Sequence, residues 1–244
     1  ILFMDDKIVR LVQQRASIFF FSQYIGYSEE NAKKFIDLIG HENMKIGAIQ
    51  GQGIAVPLSN PDMPQLGMPW RIIDGNASIN FLPGKIDVIR DNEEAPETGT
   101  SDFVAYVKDI IGKIINGTHY SMSRVAYAPL FSVITQEQGE VKKRWGKLLV
   151  KTSCEGIDFQ NIELRYLLKK EVNLNGRSVQ INLFHQISDG MHFKDGKKDA
   201  DCLLLQIDVN TIPEMNYSFS IKDFDTFMEI APKEVKLLST SVLS

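Results

Sequence analysis

The chain is short of cysteine, of long apolar runs and of net charge, and each shortage closes a class of answer. Its two cysteines, Cys154 and Cys202, sit in unlike contexts with no Cys-x-x-Cys, so neither a disulfide framework nor a zinc ribbon is indicated. The apolar run Ala16-Ser17-Ile18-Phe19-Phe20-Phe21-Ser22 falls far short of the roughly 20 residues that a membrane span needs. No basic, then apolar, then small-residue leader precedes it, so a cytoplasmic location is expected, with no membrane partner. The sequons at Asn76, Asn116 and Asn216 would matter only in a secreted chain. Twenty-seven basic residues stand against thirty-one acidic ones, which gives no bulk attraction toward a phosphate backbone; nucleic acid is not expected as a partner.

What is present is ordinary globular material: 244 residues, 43% of them apolar, enough to bury a sizeable core as one domain or two. Three helices announce themselves. Ser28 can cap one, with Glu29 and Glu30 in its first turn, Ala32, Phe35, Ile36 and Ile39 on one face, and Gly40 as its stop. A second runs from Ser101 through Phe103, Val107, Ile110, Ile111 and Ile114 to Asn116-Gly117, and a third from about Ile221 to Pro232. Between the first two lie short β-rich runs split by Asp74-Gly75 and Pro83-Gly84, which predict a meander. The acidic, proline-bearing stretch from Asp91 to Thr100 reads as a solvated connector. Further strands follow, with Asn175-Gly176 at the tip of a long hairpin. Sequential strands joined by tight turns imply antiparallel pairing. The expected fold is therefore α+β, with mainly antiparallel sheets and helices packed on one face. Residues 1–117 and 118–244 are expected to form two similar sheet-plus-helix halves or one continuous domain.

One string carries chemistry. Phe184-His185-Gln186-Ile187-Ser188-Asp189-Gly190 contains a His-x-x-x-Asp-Gly that resembles the active-site motif of the CoA-dependent acyltransferases related to chloramphenicol acetyltransferase. That resemblance implies His185 as the base that deprotonates the acceptor and Asp189-Gly190 as the support that aims it. In those enzymes the Asp-Gly leads into a helix near the C-terminus. Here a charged, turn-rich run follows, so the match reads as coincidental: a strand that Asp189-Gly190 turns. A metal-dependent hydrolase built on His185 and Asp189 is a further alternative, with His185, His192 and Cys202 as the metal ligands, although their spacing follows no standard pattern. No cofactor is expected. Gly47-Ala48-Ile49-Gln50-Gly51-Gln52-Gly53 lacks the third glycine of a dinucleotide fingerprint and reads as a bulged strand. Lys142, Lys143 and Arg144 beside Trp145 could stack and pair with nucleic acid, but solvated edge strands use the same residues.

Across the whole chain, the central stretch from Ser123 to Phe131, the Leu-rich stretch from Cys202 to Ile212, and a terminal helix near Ile221 resemble, in order and spacing, a sporadically distributed family of uncharacterised bacterial proteins of about this length. The resemblance implies a patchy, mobile-element or defence-associated distribution and supplies no known catalytic residues. No set of nucleophile, base and orienter is assembled by the sequence. The expected function is accordingly non-catalytic binding or regulation, with a protein or a second copy as partner. A strand containing Ile18, Phe19, Phe20 and Phe21 points large apolar groups to both faces, so a homodimer with Phe19 or Phe21 at the contact is expected.

Overall fold

A computed structural model describes residues 2–4, 7–21, 24–49, 66–92, 100–135, 163–194, 197–212 and 218–243. They form the strands β1 (Leu2–Met4), β2 (Lys7–Phe19), β3 (Lys45–Ala48), β4 (Trp70–Asp74), β5 (Ala77–Leu82), β6 (Lys85–Asp91), β7 (Arg124–Thr135), β8 (Glu163–Leu174), β9 (Arg177–Lys194) and β10 (Lys197–Thr211), and the helices α1 (Glu29–Ile39), α2 (Thr100–Thr118) and α3 (Ile221–Leu243). All ten strands belong to one sheet, in the order β3-β4-β5-β6-β2-β7-β10-β9-β8, with β1 paired to the start of β2. Every pairing is antiparallel.

This corrects the expectation of several sheets: the described strands form a single one. β2 and β7, from opposite sides of the 117/118 boundary, pair from Lys7↔Thr135 to Phe19↔Arg124. The tight hairpins were legible one by one; the long-range seam that fuses them into one sheet has no local signal.

Among the described residues, the helices cover one face of the sheet. Phe35 of α1 packs on Trp70 and Phe81, whose rings stack at 4.2 Å. Phe103 of α2 meets Tyr127, and Lys170 of β8 reaches Glu234 of α3 at 2.7 Å. These sheet residues fall on one side of the pleat, because side chains alternate along a strand. Lys108 to Glu229 ties α2 to α3. α1 meets α2 where Gly117 leaves room for Leu38: a Cβ there would lie 2.3 Å from Leu38 Cδ2. Gly117 is therefore a packing glycine rather than the helix stop, and α2 runs to Thr118, followed by His119 at φ 56°.

Three local features follow the sequence closely. The Ser28 hydroxyl accepts from the Asn31 N–H at 3.0 Å, and Gly40 closes α1 in the left-handed region at φ 68°. Gly75 and Gly84 turn β4 into β5 and β5 into β6, and Asn175-Gly176, both at positive φ, turns β8 into β9. One other departs from it. α3 continues eleven residues past Pro232 to Leu243, since a proline removes one N–H but does not forbid a helix anchored by packing on both sides of it. Pro129 sits inside β7, opposite Gln14. The register of β2 shifts between Leu11 and Gln13 at this point, and the bulged Val12 carbonyl accepts from the Asn92 N–H at 2.7 Å. A proline within a sheet is accommodated by such a bulge. No helix among the described residues is long and apolar enough to cross a membrane.

Candidate functional site

The face of the sheet away from the helices, called the open face below, carries no helix or strand among the described residues. Following the strand pairings across it gives an unbroken row: Arg71, Asn80, Asp87, Ser17, Ala126, Asn210, Asn182 and Lys169. Each residue lies opposite the next on the neighbouring strand. With strands about 4.8 Å apart, the row spans roughly 34 Å from β4 to β8. All but Ala126 are polar or charged.

The ends of the row are exposed and its middle is buried, with Asp87, Ser17 and Asn210 at 3%, 4% and 4% exposure. Some of these groups satisfy one another. Asn182 Nδ2 donates to Asn210 Oδ1 at 3.2 Å, Asn210 Nδ2 donates to Asp208 Oδ1 at 2.9 Å, and Lys85 Nζ meets Asp87 Oδ2 at 2.7 Å. Others do not: Asn80 Oδ1, Asp87 Oδ1, Asn182 Oδ1, Ser132 Oγ and Arg124 Nε are buried without a partner. Buried polar groups are overwhelmingly paired in folded proteins; such atoms also occur on the helix side, at Gln14, Arg90 and His185, so the open face is set apart by its polar row rather than by their number. Beside the row, Phe19 lies half-buried beneath Arg124 at 4.7 Å and Lys85 at 5.9 Å from its ring centre. Burial pulls Arg124 below its ordinary pKa, and the Asp208 charge opposes that shift.

The aromatic run resolves along the same division. Ile18 and Phe20 are buried, Phe19 lies on the open face under its two cations, and Phe21, just past the strand end, is 58% exposed.

His185 lies in β9 opposite Ile207 and Tyr166, on the helix side of the sheet. It is fully buried and stacked on the Tyr166 ring at 4.4 Å, and neither ring nitrogen has a partner. Burial lowers its pKa, so the ring is neutral. Asp189 shares this side of the strand four residues along, about 13 Å away in extended chain, too far to orient the imidazole. Asp189-Gly190 does not turn the chain, contrary to expectation: β9 continues to Lys194. Gly190 is there for room, since a Cβ would lie 2.5 Å from Leu204 Cγ.

Cys202 is buried and pairs with Gly190, five residues along β10 from the residue opposite His185 and on the other side of the pleat. The backbone of His192 pairs with Ala200. His185 and Cys202 are thus not brought together, and among the described residues no group of three His, Cys, Asp or Glu side chains could hold a metal. Lys142, Lys143, Arg144 and Trp145 lie outside the described residues.

One cluster escaped the sequence reading. His41, just after α1, lies between two carboxylates, with Nδ1 2.8 Å from Asp74 and Nε2 3.3 Å from Asp109. Tyr106 donates to the same Asp74 oxygen at 2.8 Å, under the Arg90 guanidinium at 4.8 Å. Burial, reinforced by Asp74, raises the Tyr106 hydroxyl far above its ordinary range, so it stays a donor. Desolvation pushes the Asp109 carboxyl up, but the bonds and charges of Lys113 and His41 hold it below its usual value. Lys113 also donates to the Ile39 carbonyl at 2.9 Å, at the end of α1. The cluster clamps the end of α1 to α2 and β4. Its members lie up to 72 residues apart, so no sequence spacing could have found it.

Among the described residues, then, the sheet is backed by helices on one face and carries a polar row, buried at its middle, on the other. No family model and no curated protein matches the chain.

Proposed function

We propose that the chain is a non-catalytic binding protein whose open sheet face is the recognition surface. The observation that carries this reading is the polar row across eight strands, with buried acceptors at Asn80, Asp87 and Asn182 and a buried donor at Arg124 that no group among the described residues satisfies. Both donors and acceptors are on offer, and the cations Arg71, Arg15, Lys85, Arg124 and Lys169 are interleaved with Asp87, Asp91 and Asp208. A polyanion needs a clear cationic excess. A protein surface, with amide donors and acceptors and charges of both signs, suits this mixture better.

The test is photo-crosslinking in the native host, with a photoreactive residue placed at Arg71 or Lys169 on the open face, or at the exposed Lys33 on α1 as the control. A discrete protein adduct from the two open-face positions and none from Lys33 is expected. Equal adducts from all three, or none from the open face, would refute the reading. So would a saturable, acyl-CoA-dependent rise in melting temperature that His185→Ala removes.

A further inference from the structure

The two edges of the sheet are unlike. β3 is four residues long, a short edge of the kind that discourages further pairing. β8 is twelve residues long and, among the described residues, pairs only with β9. Its exposed members include Leu167 and Leu168, at 51% and 46%, one on each side of the pleat. A long edge with exposed leucines on both sides is a template for another strand.

We infer that β8 pairs antiparallel with β8 of a second copy, about a two-fold axis through Leu168. Face continuity permits only registers centred on a residue, because a half-step would set one copy's open side against the other's helix side. Centring on Leu167 places Glu163 against Glu171 and Arg165 against Lys169, each twice. Centring on Lys169 sets that lysine against itself. Centring on Tyr166 pairs only Glu163 to Lys169. Centring on Leu168 pairs Glu163 through Asn173. It sets Arg165 opposite Glu171 twice on the open side, and Leu164 opposite Val172 twice, with Leu168 on Leu168, on the helix side. Opposite charges and apolar pairs directly across an antiparallel ladder are the stabilising combinations, and like charges the destabilising ones. Arg165 already meets Glu163 of its own strand, but a guanidinium has five donors and can serve both carboxylates. The axis runs normal to the sheet, so the two open faces lie on the same side. This inference is independent of the recognition reading above.

Light scattering of the full chain across a micromolar concentration range should give a dimer. Glu171→Arg, an exposed change that leaves the melting temperature in place, should raise the dimer dissociation constant at least about tenfold, and adding Arg165→Glu should restore it. The register is read separately: Leu168→Cys should form an oxidant-dependent, reductant-sensitive dimer, whereas Asn173→Cys and the unaltered chain should not. A monomer throughout, no rescue by the charge swap, or crosslinking from Asn173→Cys as readily as from Leu168→Cys would overturn the proposal.

Discussion

The two faces of the sheet are made by the same strands, one residue out of step, and both bury their centres. On the helix side Ile79, Phe81, Ile86, Val88 and Ile18 are fully buried among other hydrocarbon. On the open side the alternate residues Asn80, Asp87 and Ser17 occupy positions as central in the sheet but are polar, and Asn80 Oδ1 and Asp87 Oδ1 find no partner among the described residues. Burial on the first face is stabilising at about 25 cal/mol per Å² of apolar surface. On the second it costs free energy wherever a bond is left unmade.

Three substitutions sharpen that contrast, the largest first. Trp70→Ala removes the ring that stacks on Phe81 and donates to the Ile25 carbonyl at 2.9 Å; a loss of roughly 3–5 kcal/mol is expected in urea unfolding. On the open face, Lys85→Met takes from the buried Asp87 carboxylate the ammonium that pairs with it, and should cost about 1–3 kcal/mol. An effect as large as that of Trp70→Ala would mean that the open face, too, is built for stability.

The third concerns one of the polar groups buried on the helix side. His185 is buried with both nitrogens unpartnered, and its pKa is held below the ordinary 6.5 by desolvation. As pH falls through that value the unfolded chain takes up a proton that the folded chain refuses, so stability declines until the buried ring also titrates. His185→Phe should be more stable by about 1 kcal/mol at neutral pH, with the gap widening toward pH 5. Unfolding curves at two pH values measure it, and a constant gap would contradict the burial argument.

How far this was legible depends on range. The α1 cap and stop, the turns at Gly75, Gly84 and Asn175-Gly176, and the apolar stripes of the helices are set by neighbours in sequence, and they could be read there. Gly117 and Gly190 looked like a stop and a turn, but each makes room for a leucine from a distant element, Leu38 and Leu204. The single sheet, the polar row and the His41 clamp depend wholly on pairings between remote segments. Of the candidate residues, Phe19 was singled out for its apolar bulk, and it is the cations above it, supplied by β6 and β7, that make it part of the open face.

The central place of β2 bears on how the chain is made. Its neighbours in the sheet are β6 and β7, and Phe19 pairs with Lys85 and Arg124, both translated long after it. At ordinary synthesis rates of about 5–20 residues per second, the run Ile18-Phe19-Phe20-Phe21 waits several seconds outside the ribosome before a strand can flank it. During that interval it is an unpaired apolar β-segment, the kind that chaperones bind and that aggregates when they do not. Slow translation between β2 and β6 would lengthen the exposure; the finished protein would be unchanged, but less of it would arrive.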